Sequence, residues 1–355
     1  MSLDDKLEVT VNTQKANALN AIQPKPNQPN ATQSKPENPL RIATIAELLT
    51  HQFPKREPVL APAFMLGSLN MVFSQRGVGK THTALGIAYA GASGSNFWGW
   101  KASRPFKTLY IDGEMPGEAL QSRLAEIVKA HEKEPSTDYF RLLTIDLNGG
   151  QMPDLSTLNG QIAIEDYCLD AELIIVDNLS CLCRSGRENE AESWLSIGEW
   201  AMRMRSLGKC VIFIHHAGKN NMQRGTSKRE DILDVVLELK RPVDYQADQG
   251  ARFIVNFTKA RHLSGNESQS FEAMLMTIDG KQTWATKPAS ESTFGQVVEL
   301  ANLGLSQADI AKELEVNKST VCRAYNSAKE KGLITEKPRG TPGRKPTGKR
   351  ADVDG

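Results

Sequence analysis

Residues Met71–Ala90, MVFSQRGVGKTHTALGIAYA, decide the fold that this chain adopts. The apolar run Leu69–Phe73 predicts a buried β-strand, and a helical stretch follows Thr81. Between them lies most of the phosphate-binding pattern Gly-x-x-x-x-Gly-Lys-Thr, with Ser74 at the position of the first glycine. Because that glycine mainly allows a tight turn out of the strand, serine at this position is only a mild departure from the phosphate-binding pattern. The order strand, loop and helix therefore predicts a nucleotide-binding site.

The residue types of this loop indicate how it would hold phosphate. Gly77 and Gly79 let the backbone turn its N–H groups inward, where they and the helix N-terminus surround phosphate oxygens. Lys80 would reach the β- and γ-phosphates, and the Thr81 hydroxyl would bind Mg²⁺. The predicted nucleotide-binding residues are Gly77, Val78, Gly79, Lys80, Thr81 and His82.

Three further apolar runs end in polar side chains. AELIIVDNLS ends on Asp177, a second carboxylate able to hold Mg²⁺ through water, and TLYIDGEMP ends on Asp112 and Glu114. Glu114 can orient the attacking water as a general base. CVIFIHHAGK ends on His215 and His216, which can sense the γ-phosphate. Each residue alone also fits a solvated carboxylate or a structural histidine. Since ligands bind at the carboxyl ends of parallel strands, together they predict an ATPase that uses ATP and Mg²⁺.

The pattern along the chain predicts an α/β fold with a mostly parallel central sheet. Between Leu40 and about Lys287, short apolar runs alternate with longer helical ones. One of the helical runs, EAESWLSIGEWAMRMRSLGK, has apolar residues on one face and a stop at Gly208. The predicted strands are Leu69–Phe73, Thr108–Ile111, Leu173–Val176, Cys210–Ile214 and Phe253–Phe257, and the apolar helix face is Trp194, Ile197, Ala201 and Met204.

Composition restricts the protein class. The 355 residues include 43 basic and 42 acidic side chains, so charge must be interpreted locally. No apolar run is long enough for a membrane span and no signal peptide is evident, which predicts a cytoplasmic protein without membrane contact. The five cysteines fit reduced thiols better than a metal site at Cys181-Leu-Cys183. Residues 1–38, rich in Pro, Asn and Gln, predict a disordered segment ahead of an ATPase domain at residues 39–287.

The C-terminal part has a different pattern. GLSQADIAKELEVNKSTVCRAYNSAKEKGLI predicts a small winged helix-turn-helix domain within residues 288–337, followed by a basic flexible tail at residues 338–355. Ser306 would cap the first helix, and Ser319 or Thr320 would open the second. A helical module for protein docking is the alternative. The residues predicted to face a DNA groove or phosphates are Lys318, Thr320, Arg323, Tyr325 and Asn326.

The motifs SQRGVGKT, LYIDGEMP, LIIVDNLS, FIHHAGK and FTKARHLSG resemble those of RecA-fold P-loop ATPases, especially hexameric replicative helicases of plasmids and mobile elements. The resemblance covers about two-thirds of the chain. It implies that Glu114 is the catalytic base and that His216, more than His215, is the polar sensor. It also implies that Lys259 and Arg261 enter the ATP site of a neighbouring subunit, although Arg224 or Arg229 could supply this arginine finger instead.

These features together predict a ring-forming, hexameric DNA helicase or translocase of a mobile element that acts in DNA replication. The loop after His216, AGKNNMQRGTSKRED, would line the channel and contact single-stranded DNA through Lys219, Arg224 and Lys228, while the helix-turn-helix would bind duplex. An ATP-switched DNA-binding regulator, or a recombination or defence ATPase without unwinding, fits the same motifs, because RecA-fold engines share one nucleotide chemistry.

Overall fold

The computed structural model describes residues 41–53, 56–184, 190–217 and 231–334, with the backbone alone at 190–193. The predicted disordered segment and basic tail lie outside these residues, as does the channel loop except for Ala217 and Asp231. The chain divides into two compact units, residues 1–53 and 54–355. In the first unit, helix α1 (Ile45–Thr50) begins at a capping box, in which Thr44 accepts from the Glu47 N–H and the Glu47 carboxylate accepts from the Thr44 N–H.

The second unit contains the remaining elements. Its strands are β1 (Pro58–Leu60), β2 (Phe64–Met65), β3 (Leu69–Ser74), β4 (Asn96–Phe97), β5 (Trp100–Lys101), β6 (Thr108–Asp112), β7 (Phe140–Thr144), β8 (Leu173–Asp177), β9 (Cys210–His216), β10 (Val235–Lys240), β11 (Arg252–Ala260), β12 (Phe271–Ile278) and β13 (Lys281–Pro288). Its helices are α2 (Lys80–Ser93), α3 (Gly117–Ala130), α4 (Leu158–Ala163), α5 (Glu165–Asp170), α6 (Leu179–Leu182), α7 (Glu190–Ser206), α8 (Thr293–Asn302), α9 (Gln307–Glu313) and α10 (Lys318–Glu330).

Among the described residues, nine strands form one sheet in the order β13-β12-β11-β10-β3-β9-β8-β6-β7. The six strands from β10 to β7 run parallel, and β11, β12 and β13 extend the sheet antiparallel. All five predicted strands are present, and each of their ends lies within three residues of its predicted position. The mostly parallel α/β sheet is therefore confirmed. The parallel strands β7 and β10 and the antiparallel strands β12 and β13 were not predicted.

Two apolar layers cover the two faces of the sheet. On one face, α2 buries Ala84, Leu85 and Ile87 in a cluster with strand residues such as Ile175 and Ile212. On the other face, α7 buries the predicted residues Trp194, Ile197, Ala201 and Met204. Helix α7 ends at Ser206, and Gly208 then adopts a positive φ of 81°, which agrees with the predicted stop. The sheet is thus packed on both faces, and its carboxyl edge is left for a ligand.

Helices α8, α9 and α10 pack around their own small core, which includes Val297, Ile310 and Val321. Ser306 caps α9 as predicted, because its hydroxyl accepts from the Asp309 N–H. Helix α10 begins at Lys318, one residue before Ser319 and two before Thr320, the two predicted starts. Within the described part of the chain, no helix has both the length and the apolar character that a membrane crossing requires.

Candidate active site

The loop between β3 and α2 has the backbone that phosphate binding requires. Gly77 and Gly79 adopt positive φ angles of 74° and 131°, conformations that side chains disfavour. A Cβ on Gly79 would also lie 2.8 Å from Cε1 of Phe253, so glycine is needed for space as well. Gly79 is the N-cap of α2, a helix of 14 residues. The N-terminal N–H groups of α2 therefore point into the loop, which favours an anion there.

The ammonium group of Lys80 is held inside this loop by three hydrogen bonds to Ser74 and Gln75. The Nζ donates to the carbonyl oxygens of Ser74 (3.2 Å) and Gln75 (2.9 Å) and to the Ser74 hydroxyl (3.2 Å). Ser74 thus adds an acceptor that glycine would lack. Burial lowers the pKa of Lys80 to about 8, against the opposing effect of Asp177 and Glu114. Because burial outweighs these two carboxylates, an anionic ligand would stabilise the charged form of Lys80.

Asp177 ends β8 beside the loop. It is buried, and the Tyr110 hydroxyl donates to its Oδ2 at 2.6 Å. Burial raises the pKa of Asp177, while hydrogen bonds from Tyr110 and Thr81 act in the opposite direction. A buried carboxylate next to the Thr81 hydroxyl is the oxygen donor set that Mg²⁺ favours, so the two predicted metal residues fit the ion.

Glu114, Asn178 and His216 form a hydrogen-bonded cluster across three strand ends. The Asn178 Nδ2 donates to Glu114 Oε2 and lies 3.2 Å from the His216 Nε2, which is 3.3 Å from the same carboxylate oxygen. Asn178 is also the N-cap of α6, because its Oδ1 accepts from the Cys181 N–H. This bond leaves the amide nitrogen facing Glu114. Asn178 was not among the predicted site residues, although asparagine just ahead of a helix is a typical N-cap.

Asp112 and His215 are polar neighbours of this cluster that are buried and do not line the cleft. Asp112 is buried, and burial raises its pKa to about 6. Its carboxylate accepts from the N–H groups of Glu114 and Met115, so it shapes the turn that carries Glu114. His215 is buried and pairs in register with Phe73, whereas His216 pairs with Ser74 and lines the cleft. The alternation of side chains along β9 thus separates the two histidines.

These residues surround a cleft of about 630 Å³ at the carboxyl edge of the parallel strands. His82 lines it, and burial lowers the pKa of this histidine to about 4, so it is neutral at pH 7. Eight lining residues were not predicted from the sequence: Arg76, Met115, Pro116, Arg123, Arg241, Tyr245, Gly250 and Ala251. Arg241, Tyr245, Gly250 and Ala251 belong to a segment distant in sequence from the phosphate-binding loop. From the predicted set, the cleft includes Gly77, Val78, Gly79, Lys80, Thr81, His82, Glu114, Asp177 and His216.

Lys259 and Arg261 lie at the opposite edge of the sheet. Ala260 pairs with Val235, which pairs with Asn70 near the amino end of β3. The Arg261 backbone N–H donates to the Asp234 carbonyl at 2.9 Å, and its guanidinium donates to the Asp231 carbonyl. Neither residue lines the cleft of its own chain.

The predicted DNA contacts are only partly visible. Lys219, Arg224 and Lys228, together with Arg229, lie outside the described residues. On α10, Lys318, Arg323 and Asn326 are exposed. The prediction that Thr320 faces DNA is wrong, because Thr320 is 4% exposed and turns toward the core of the three helices. Tyr325 is half-buried against the same core.

In a comparison with known proteins, models of two protein families match separate parts of the chain. A family model described as an AAA domain matches residues 34–222, more than half of the chain. A model of the MarR family matches residues 292–345. Among solved structures, the KaiC-like protein of the hyperthermophilic archaeon Pyrococcus horikoshii OT3 is 15% identical with a TM-score of 0.42, over 64% of this chain and 93% of that chain. No curated protein sequence matches significantly.

Proposed function

Because the chain belongs to the AAA-domain family, we propose that it is an ATP-hydrolysing motor acting on DNA, a ring-forming helicase or translocase of a plasmid or other mobile element. A RecA-like P-loop ATPase domain and a helix-turn-helix module lie in this one chain. The observation that carries the proposal is the cleft itself. It combines a buried lysine, a carboxylate beside a threonine, and a second carboxylate held toward the solvent.

Each of these groups has a role in hydrolysis. The N–H groups of the loop and Lys80 bind the phosphates. Glu114 accepts the proton of the attacking water, and its carboxylate is 51% exposed, so water reaches it. Thr81 and Asp177 would hold Mg²⁺, which when bound withdraws negative charge from phosphate oxygens. His216 contacts Glu114 and therefore can report the state of the site to the segment that follows β9.

The ring is supported by where Arg261 lies. An arginine at the amino edge of the sheet cannot reach the cleft at the carboxyl edge of the same chain. If Arg261 acts on the γ-phosphate, it must act on that of a neighbouring subunit, which requires head-to-tail contacts. Such contacts build a ring when their rotation closes and an open filament when it does not. The resemblance of the motifs to plasmid helicases supports a hexamer.

A second candidate, an ATP-switched DNA-binding regulator, is favoured by one contact. Thr293 at the start of α8 donates to Asp244, which lies on the loop that also contacts the phosphate-binding loop through Arg241. A regulator would use nucleotide to alter DNA binding by the helix-turn-helix, without moving along a strand.

Strand displacement on forked DNA with ATP, run beside ATP hydrolysis with and without DNA, tests the two functions. A motor should hydrolyse ATP faster with single-stranded DNA and displace the strand. Glu114→Gln is the matched control, since it should bind ATP and displace nothing. Slow hydrolysis that DNA does not stimulate, with no displacement, would contradict the motor and favour the regulator.

A further inference from the structure

The loop between β10 and β11 contacts both the nucleotide cleft and the helix-turn-helix module. We name residues 241–251 the bridging loop. One of its ends follows β10 beside the phosphate-binding loop, and its middle part packs against the core of the three C-terminal helices through Val243. No motif in the sequence pointed to this segment.

At the cleft, Arg241 fixes the conformation of the phosphate-binding loop. Its guanidinium donates to the Gly77 carbonyl at 2.6 Å and to the Gly250 carbonyl at 2.5 Å, and it stacks on the Tyr245 ring at 3.7 Å. In a trans peptide, the carbonyl and the next N–H point in opposite directions. When Arg241 holds the Gly77 carbonyl on its own side, the N–H of Val78 is therefore directed away from Arg241.

At the helix-turn-helix, Asp244 joins the bridging loop to α8. The Thr293 hydroxyl donates to Asp244 Oδ2 at 2.7 Å, and the Arg252 guanidinium donates to the same oxygen at 3.0 Å. Burial raises the pKa of Asp244, but the bonds from Thr293 and Arg252 outweigh this and leave it below its ordinary value. Asp244 is thus charged at neutral pH, and each hydrogen bond that it accepts is charge-assisted.

We propose that Arg241 is a positioning residue for the phosphate-binding loop, and that the bridging loop makes this positioning depend on the helix-turn-helix. Nucleotide in the cleft and duplex DNA at the module then change each other's affinity. Linkage requires the effect to be equal in both directions. The inference rests on the proposed function for the identity of the two ligands, and on the contacts of Arg241 and Asp244 for their connection.

The first experiment tests the positioning role with a fluorescent ADP analogue, MANT-ADP. Arg241→Ala should raise its Kd about tenfold, the scale of a hydrogen bond that involves a charged group. Arg241→Lys should recover little of the affinity that Arg241→Ala loses, because an ammonium group lacks the planar arrangement of donors that bridges two carbonyls. Arg203→Ala is the control, because Arg203 is an exposed arginine that pairs with Glu165 and does not line the cleft, so this variant should bind nearly as the parent does. An Arg241→Ala protein with parental affinity would overturn the positioning role.

The second experiment tests the connection by hydrogen exchange, without DNA. Saturating MANT-ADP should slow amide exchange in residues 243–252 and 293–302 of the parent. Thr293→Val removes the hydroxyl but keeps the shape, and it should abolish the effect in residues 293–302. The matched control is Ser306→Ala, which weakens the cap of α9 but leaves Asp244 and Thr293 in place. Unchanged exchange in the parent would overturn the connection.

The third experiment adds a random-sequence duplex pool. MANT-ADP affinity of the parent should change about fivefold or more at saturating duplex, and that of Thr293→Val by much less. If the parent does not bind MANT-ADP, the proposed function fails at the cleft. If it does not bind the duplex, the proposed function fails at the helix-turn-helix. If both bind and neither affects the other, the function stands and the connection is wrong.

Discussion

Glu114 is the residue on which hydrolysis should depend most strongly. Glutamine has nearly the same shape but cannot accept the proton of water, so Glu114→Gln should bind ATP normally and lose kcat by roughly a hundredfold or more. Lys80→Ala should instead lose hydrolysis together with much of the binding, because the charge on the phosphates is removed. Steady-state hydrolysis and nucleotide titration of both variants measure the difference. Near-normal turnover by Glu114→Gln would exclude it as the base.

Asn178 has two separable contacts, one structural and one directed at Glu114. Serine is also a good N-cap, so Asn178→Ser should keep α6 capped while it loses the donor to Glu114. We expect a lower kcat, little change in KM and an unchanged unfolding midpoint. Asn178→Ala loses both contacts and should lower the midpoint as well. If Asn178→Ser hydrolyses ATP at the parental rate, Asn178 contributes only the cap.

The pKa of Lys80, lowered by burial to about 8, predicts a pH dependence of nucleotide binding. Below this pH the ammonium is already charged and affinity should be flat. As pH rises above about 8, the free protein loses the proton that the anionic ligand requires, so affinity should fall by up to about tenfold per pH unit. MANT-ADP titrations across this range measure it. Lys80→Arg is the control, since arginine stays charged and should remove the dependence.

The predicted residues Glu114, Asp177 and His216 lie at or just after the ends of apolar strands, and Lys80 follows another such strand by one short loop. Lys80, Asp177 and Glu114 are close in sequence to the strands that carry them, and parallel pairing alone brings those ends together. Tyr110 and Arg241 were missed for a physical reason. Their roles come from contacts with residues 67 positions (Asp177) and 164 positions (Gly77) away, which no local pattern encodes.

At the scale of elements, burial on both faces made the central strands β3, β6, β8 and β9 predictable, although the largely buried central strand β10 was missed. Strands β3, β8 and β9 are mostly apolar and buried along nearly their whole length, as expected for strands covered on both sides. The missed strands β12 and β13 form a hairpin whose faces are largely half-buried or exposed, so their sequences show little of that signal. The same reasoning explains Thr320: a polar residue type suggested exposure, but its place on α10 faces the core.

Helix α10 provides a test of DNA recognition at the element scale. Arg323 is exposed there, and Arg323→Ala should weaken duplex binding. If Arg323 contacts a base edge, the loss should be about 1–3 kcal/mol on preferred sequences and smaller on others. If it contacts phosphate, all sequences should weaken alike, and the slope of log affinity against log salt should fall by about 0.9. Lys312→Ala, an exposed lysine on α9, is the control. Unchanged duplex binding by Arg323→Ala would favour the docking module.

At the scale of the molecule, the nucleotide cleft and Arg261 occupy opposite edges of one sheet. A single chain therefore has the phosphate-binding half of a site at one edge and a candidate finger at the other. Two copies placed head to tail would complete one site between them, and only a closed ring would complete all of them.

Mixing two inactive variants tests this arrangement directly. Arg261→Ala subunits keep an intact cleft, and Lys80→Ala subunits keep an intact finger, so an interface between the two in one order is complete. With random mixing of equal amounts, about a quarter of the interfaces in a ring should be complete and hydrolysis should reappear to a similar extent. Mixing Lys80→Ala with Glu114→Gln is the matched control. Both changes damage the cleft side, so no interface is intact and no activity should return.

The possible outcomes separate the roles of Arg261. Restored hydrolysis in the first mixture and none in the control would assign Arg261 to the cleft of the neighbouring subunit. An Arg261→Ala protein that is already active on its own would remove Arg261 from catalysis and leave Arg224 or Arg229 as the finger. A parent protein that stays monomeric at full ATPase activity would rule out the ring, because a monomer cannot bring Arg261 to the opposite edge of its own sheet.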